Sequence, residues 1–148
     1  MQVKLKKLKE TAKLPTQATP GSSGYDLYAA EEASVRNHTV TLVSTGWAME
    51  VPPGYEIQIR PRSGLAVKQG ITVVNTPGTI DSDYRGEVKV ALIKSTQLGS
   101  LEEIINIKPG DRIAQMVVCE VPRTELVEVS ELSDTSRGSG GFGSTGTK

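Results

Sequence analysis

Residues 75 to 88 read NTPGTIDSDYRGEV, the densest group of reactive side chains in the protein. Two carboxylates, Asp81 and Asp83, stand two positions apart, with Tyr84 and Arg85 following. In an extended strand such residues share a face; at a hairpin tip they need not. A polar tip with solvated charges is the plain reading. The chemical reading is a carboxylate that orders a water or holds a metal beside an aromatic platform.

Four more clusters invite the same question. In RPRSGLA, 60 to 66, Arg60 and Arg62 precede Ser63 and Gly64. Guanidinium groups, a hydroxyl and a glycine N–H suit phosphate oxygens, although a strand end running into a turn would look the same. In PGDRIAQ, 109 to 115, Asp111, Arg112 and Gln115 adjoin an apolar run, where polar groups need partners. In GSSGYDLYA, 21 to 29, Asp26 lies between Tyr25 and Leu27, an odd setting for a purely solvated charge. The fifth cluster, RGSGGFGSTG at 137 to 146, contains the only phenylalanine of the chain, Phe142. It is not a P-loop: Ser144 stands where the lysine belongs, and neither a strand before it nor a helix after it is indicated. Its glycine backbone can still wrap phosphates, with Arg137, Ser144 and Thr145 as further donors.

The elements that must position these groups read as strands. YEIQIR puts Tyr55, Ile57 and Ile59 on one face, and GEVKVAL does the same with Val88, Val90 and Leu92. VKLKKL and TELVEV are shorter, less regular examples. PPG, TPG and KPGD punctuate the runs. No long window carries a helical stripe, and SGLAVKQG predicts one short helical turn at most. The expected fold is all-β, a sandwich or barrel. Residues 1–133 form one domain on this reading, with a Pro- and Ser-rich loop at 14 to 24. Residues 134–148 have the composition of a flexible tail.

Composition narrows the chemistry. The 148 residues carry 17 basic and 17 acidic side chains, so no net charge argues for nucleic acid or an acidic membrane as partner. With one cysteine, Cys119, no intrachain disulfide forms, and a small buried apolar side chain is expected there. The one histidine, His38, reads as a surface residue, which argues against a Ser–His–Asp triad or a His-rich metal site. Acid–base work then falls to Asp or Glu, and any metal should be a hard cation with oxygen ligands. No stretch resembles a signal peptide or a membrane span, so the default expectation is a soluble cytoplasmic protein.

Taken in order, GYDL (24 to 27), RSGLA (62 to 66), GTIDSDYRGEV (78 to 88), PGDRIAQ (109 to 115) and RGSGGFGSTG resemble the five motifs of the homotrimeric dUTPase family. The resemblance spans residues 24 to 146. It implies a jelly-roll β-sandwich or distorted barrel that assembles as a trimer, with active sites shared among subunits. The implied reaction is hydrolysis of dUTP to dUMP and pyrophosphate with Mg²⁺, which lowers dUTP and supplies dUMP for thymidylate synthesis.

The resemblance also implies roles. Asp81 matches the catalytic aspartate that polarises a water for attack on the α-phosphorus. Arg62, Ser63 and Gly64 would grip phosphates, with Gln115 near the α-phosphate. Asp111 and Arg112 would brace the site. Asp26 would meet Mg²⁺ through water. Uracil would lie against the backbone from Asn75 through Thr79 and Ile80 to Asp81, and near Lys89, with Tyr84 under the deoxyribose. The tail would close over the nucleotide, Phe142 stacking on uracil while Arg137, Gly143, Ser144 and Thr145 take phosphates. Two rivals are weighed against this. The related dCTP deaminases usually carry a second serine where Gly64 stands. A non-catalytic binding module would be expected to have lost Asp81 or the tail.

Overall fold

The computed structural model describes residues 1–95, 104–142 and 144. In chain order the elements are β1 (Lys4–Lys7), β2 (Tyr25–Tyr28), β3 (Ala33–Arg36), β4 (Thr41–Glu50), β5 (Tyr55–Arg60), α1 (Ser63–Gln69), β6 (Ile71–Val73), β7 (Gly78–Ile80), β8 (Glu87–Lys94), β9 (Ile104–Ile107) and β10 (Arg112–Glu120). Two four-stranded sheets run β1-β4-β8-β6 and β2-β10-β5-β7, and β3 pairs with β9 in a small third sheet. Every pairing of named strands is antiparallel. The architecture is an open jelly-roll sandwich rather than a closed barrel.

Alternation explains how it packs. Val88, Val90 and Leu92 of β8 and Ile57 and Ile59 of β5 point into one core with Leu27, Val43, Val35, Ile105 and Ile113. Burying such side chains contributes about 1.5–3 kcal/mol each. β4 departs from simple alternation: Val43 to Met49 are all buried. The cause is a bulge, where the β4–β8 register shifts between Ser44 and Ala48. Gly46 sits inside it at φ 71°, and a Cβ there would come within 2.6 Å of the Ala12 Cβ. The bulge therefore needs glycine twice over, for its left-handed backbone and for the close approach of the N-terminal segment.

Three expectations are corrected. The helix over RSGLA is a seven-residue α-helix, longer than one turn, closed by Gly70 in the left-handed conformation. TELVEV has the alternation of a strand but pairs with no strand among the described residues, leaving Leu126 96% and Val127 68% exposed. Cys119 is only half-buried, near the end of β10, with its Sγ 3.9 Å from Arg60 Nη2. His38 is exposed in a turn, as its polar neighbours suggest. No helix among the described residues is long and apolar enough to cross a membrane.

Candidate active site

The hairpin at 78 to 89 links the two large sheets. β7 pairs with β5, Gly78 opposite Ile59 and Ile80 opposite Ile57, whereas β8 pairs with β4 in the other sheet. The turn between them is tied internally. Tyr84 N–H donates to the Asp81 carbonyl at 3.2 Å, and Arg85 Nη1 donates to the carbonyls of Ser82 (2.7 Å) and Tyr84 (3.0 Å). Tyr84 Oη donates to the Glu87 carbonyl at 3.1 Å, which lays the ring across Gly86. A Cβ on Gly86 would overlap that ring. The Asn75 amide lies close beside Gly78 at the base of β7.

A cavity of about 560 Å³ opens against this hairpin, lined by Leu42, Thr79, Ile80, Asp81, Tyr84, Glu87 and Lys89. That is within the range of small-ligand sites, roughly 300–1,000 Å³. The Asp81 carboxylate is exposed at its edge and makes no hydrogen bond or ion pair with any described residue. A carboxylate with free lone pairs can accept from a water and take up its proton.

The second cluster lies on the β2-β10-β5 sheet. Gln115 stands opposite Asp26 on one side and Arg60 on the other. Its Nε2 donates to the Pro61 carbonyl at 3.1 Å. Gly24 makes room for it: a Cβ there would come within 2.9 Å of Gln115 Oε1. The Asp26 side chain is only 14% exposed. Burying a carboxylate is costly without partners, and Asp26 has two. Arg62 Nε donates to Oδ1 at 2.9 Å, and Arg112 Nη1 to Oδ2 at 3.3 Å. Arg62 also caps α1, its carbonyl accepting from Ala66 N–H at 3.0 Å. Ser63 and Gly64 are exposed in the first turn, with open space beside Gly64. Asp111 braces the turn before β10 by accepting from Lys108 N–H at 2.8 Å.

These parts do not meet in one chain. No residue of the Asp26 cluster lines the hairpin cavity. Along β5 the Gln115 partner, Arg60, is three positions from the Ile80 partner, Ile57, a step of about 10 Å. The described tail touches neither site: Arg137 Nε donates to the Gly140 carbonyl at 2.8 Å, Ser144 N–H donates to the Gly141 carbonyl at 3.0 Å, and Phe142 is fully exposed. Gly143 and Thr145 lie outside the described residues. Among the described residues, no three His, Cys, Asp or Glu side chains gather as metal ligands. Sequence reasoning missed two cavity-lining residues, Leu42 and Glu87, and the part Gly86 plays in seating Tyr84.

A jelly-roll sandwich with an acidic hairpin joining its sheets and an arginine-held carboxylate on the neighbouring strands is the class of protein to which dUTPases belong. A family model described as dUTPase matches residues 10–146, and the chain belongs to the dUTPase family. It is 56% identical over 149 residues to the deoxyuridine 5'-triphosphate nucleotidohydrolase of Hydrogenobaculum sp., covering 100% of both proteins. To the protein of that name from Nautilia profundicola it is 53% identical over 146 residues, covering 99% of each. Among solved structures it is similar to the dUTPase of Staphylococcus bacteriophage 80alpha with dUpNHpp, at a TM-score of 0.87, 26% identity and 99% coverage of both chains. A mutant of that phage enzyme, also with dUpNHpp, gives a TM-score of 0.89 at 25% identity, again covering 99% of each chain.

Proposed function

We propose that the protein hydrolyses dUTP to dUMP and pyrophosphate, and that the Asp81 carboxylate aligns the attacking water behind the α-phosphorus. The observation that carries this reading is Asp81 itself, exposed and unpartnered at the edge of a nucleoside-sized cavity. Water donates to the carboxylate, attacks phosphorus and loses its proton to Asp81 as the bond to pyrophosphate breaks.

The remaining roles follow from what each group offers. Uracil sits in the hairpin cavity against the backbone from Asn75 through Thr79 and Ile80 to Asp81, and near Lys89. Fixed N–H and C=O groups suit uracil and mismatch cytosine, a discrimination of about 10⁴ or more when buried groups are left unpaired. The Tyr84 ring, held by its own hydroxyl, lies under the deoxyribose, where a 2′-hydroxyl would clash. Arg62 spends Nε on Asp26, which leaves its two Nη groups for phosphate oxygens. Ser63, Gly64 and Gln115 supply further donors.

The residues fit Mg²⁺ only as a substrate-bridging ion. Asp26 is a lone carboxylate already shared by two guanidinium groups, suited to an outer shell through water and not to an all-protein cage. Bound with the triphosphate, the ion would neutralise and orient the phosphate oxygens.

The separation of the parts supports assembly as a homotrimer with shared sites. The hairpin of one chain, the Asp26–Arg62 cluster of another and the tail of a third make a complete set. Residues 121 to 132 supply an apolar strand pattern that needs cover. Residues 134 to 148 then act as a lid: Phe142 stacks on uracil, and Arg137, Gly143, Ser144 and Thr145 take the outer phosphates. The test is pyrophosphate release from dUTP, dTTP, dCTP and UTP with Mg²⁺. Release from dUTP with the other three far slower is expected. No release from dUTP, or ammonia from dCTP, would overturn the reading.

A further inference from the structure

One carboxylate in the cavity wall has no part in the hydrolysis. Glu87 begins β8, and its side chain is only 18% exposed. Oε1 accepts from Ser44 Oγ and from Gly46 N–H, the latter at 3.0 Å. Oε2 lies 3.8 Å from Lys89 Nζ, an ion pair across the cavity wall. The Glu87 carbonyl also receives Tyr84 Oη. A single residue thus touches the floor of the β4 bulge, the aromatic platform and the lysine that lines the cavity.

The bulge explains why a carboxylate is needed. Between Ser44 and Ala48 the β4–β8 ladder loses register, so backbone donors there lack a carbonyl opposite them. Ser44 is fully buried, and an unpaired hydroxyl or N–H at that depth is costly. Glu87 reaches across from the paired strand and supplies the missing acceptor. The Gly46 carbonyl faces the other way and accepts from Leu8 N–H at 2.8 Å, so the N-terminal segment packs the bulge from behind. Thr45 Oγ1, inside the bulge, donates to the Val88 carbonyl at 2.6 Å, and the side chain of Glu87 is the second link that fixes β8 to β4, on the side where the cavity opens between Leu42 and Lys89.

We infer that Glu87 is a specificity-determining positioning residue, whose carboxylate locks the β4 bulge to the start of β8 and so fixes the width of the base cavity. The inference rests on reading that cavity as the uracil site. A pocket that can relax rejects one methyl group only about 10- to 200-fold. Rejection of a 5-methylpyrimidine beyond that needs walls that cannot part, and the Glu87 lock provides one.

The test compares dUTP with dTTP in the full-length protein, the Glu87→Ala, Glu87→Gln and Ser44→Ala variants, with melting temperatures alongside. Glu87→Ala is expected to raise KM for dUTP about tenfold with kcat little changed, because the base is remote from the reacting phosphorus. The dUTP-to-dTTP ratio of kcat/KM should fall at least about tenfold. Glu87→Gln keeps an acceptor for Ser44 and Gly46 and should recover most of the ratio; Ser44→Ala should shift it in the same direction as Glu87→Ala, by less. An unchanged ratio in Glu87→Ala overturns the inference, as does an equal loss on both substrates that merely follows a lowered melting temperature. If Glu87→Ala does not fold, an unchanged ratio in Ser44→Ala overturns it. Affinities for dUMP and dTMP give the same ratio without turnover. A wild-type protein that prefers dUMP but does not hydrolyse dUTP defeats the catalytic reading and leaves this test standing; one that hydrolyses dUTP but shows no preference for dUMP over dTMP defeats this inference and leaves the catalytic reading standing.

Discussion

Arg62 and Asp26, 36 residues apart in sequence, are joined by a 2.9 Å hydrogen bond from Nε to Oδ1. The bond holds the guanidinium by its inner edge and leaves the outer edge free for an anion. Arg112 shares the same carboxylate. In the proposed mechanism Asp26 would orient a phosphate-binding arginine as well as offer an outer-shell oxygen to Mg²⁺. Asp26→Asn should raise the Mg²⁺ concentration for half-maximal activity at least about tenfold, since one charge is lost from the shell. It should also lower stability by about 1.5–3 kcal/mol, the value of a hydrogen bond to a charged group. A Mg²⁺ titration of turnover and a thermal melt read the two effects separately.

The described tail makes only local contacts, so its removal should leave the sandwich intact. A chain ending at residue 135 should melt with the full-length protein and lose at least about 100-fold in kcat/KM. Phe142→Ala alone should raise KM for dUTP about 5- to 150-fold, matching a stacking energy of about 1–3 kcal/mol. Steady-state kinetics on both proteins check this.

Tyr84 lies over Gly86 because glycine leaves room for its ring. Gly86→Ala should push the ring off its seat while sparing the core, since Gly86 is in the turn outside β7 and β8. The expected result is a fall of about tenfold or more in preference for dUTP over UTP, with the larger change a gain on UTP, because a displaced ring would stop excluding the 2′-hydroxyl. Competition between the two nucleotides measures it.

What the sequence disclosed, and what it hid, divides along a physical line. YEIQIR and GEVKVAL were legible because each has one wet and one dry face, and that contrast is local. β4 was not: its bulge buries Val43 through Met49 without alternation. TELVEV displayed its alternation, yet within the described chain no strand lies beside it, because alternation reports that a face wants cover and not where the cover comes from. Asp81, Tyr84 and Lys89 were grouped through the resemblance to the family's hairpin motif, and they do line one cavity. Glu87 looked like an outward residue of β8; its true partners, Ser44 and Gly46, are 43 and 41 residues away, and nothing in GEVKVAL points to them. The Asp26 setting was half legible, as a charge among apolar neighbours, but the identity of its two guanidinium partners was not.

The exposed apolar pattern at 121 to 132 gives a prediction of its own. Leu126 is 96% exposed, so changing it costs the isolated chain little, yet a subunit contact would lose it outright. Leu126→Asp, paired with Leu132→Asp, should shift the proposed trimer toward monomer. Light scattering coupled to gel filtration reads the mass, and turnover should fall with it because the proposed shared sites would come apart.

The most direct test of the central claim is a comparison of binding and chemistry in Asp81→Asn with Mg²⁺ present. The account predicts that the variant binds dUTP within a few-fold of wild type by calorimetry, because Asn keeps the shape and an acceptor. Its single-turnover release of pyrophosphate should slow by about 10³-fold or more, because the amide cannot take the proton from water. Hydrolysis near the wild-type rate, or a loss of binding as large as the loss of rate, would contradict it.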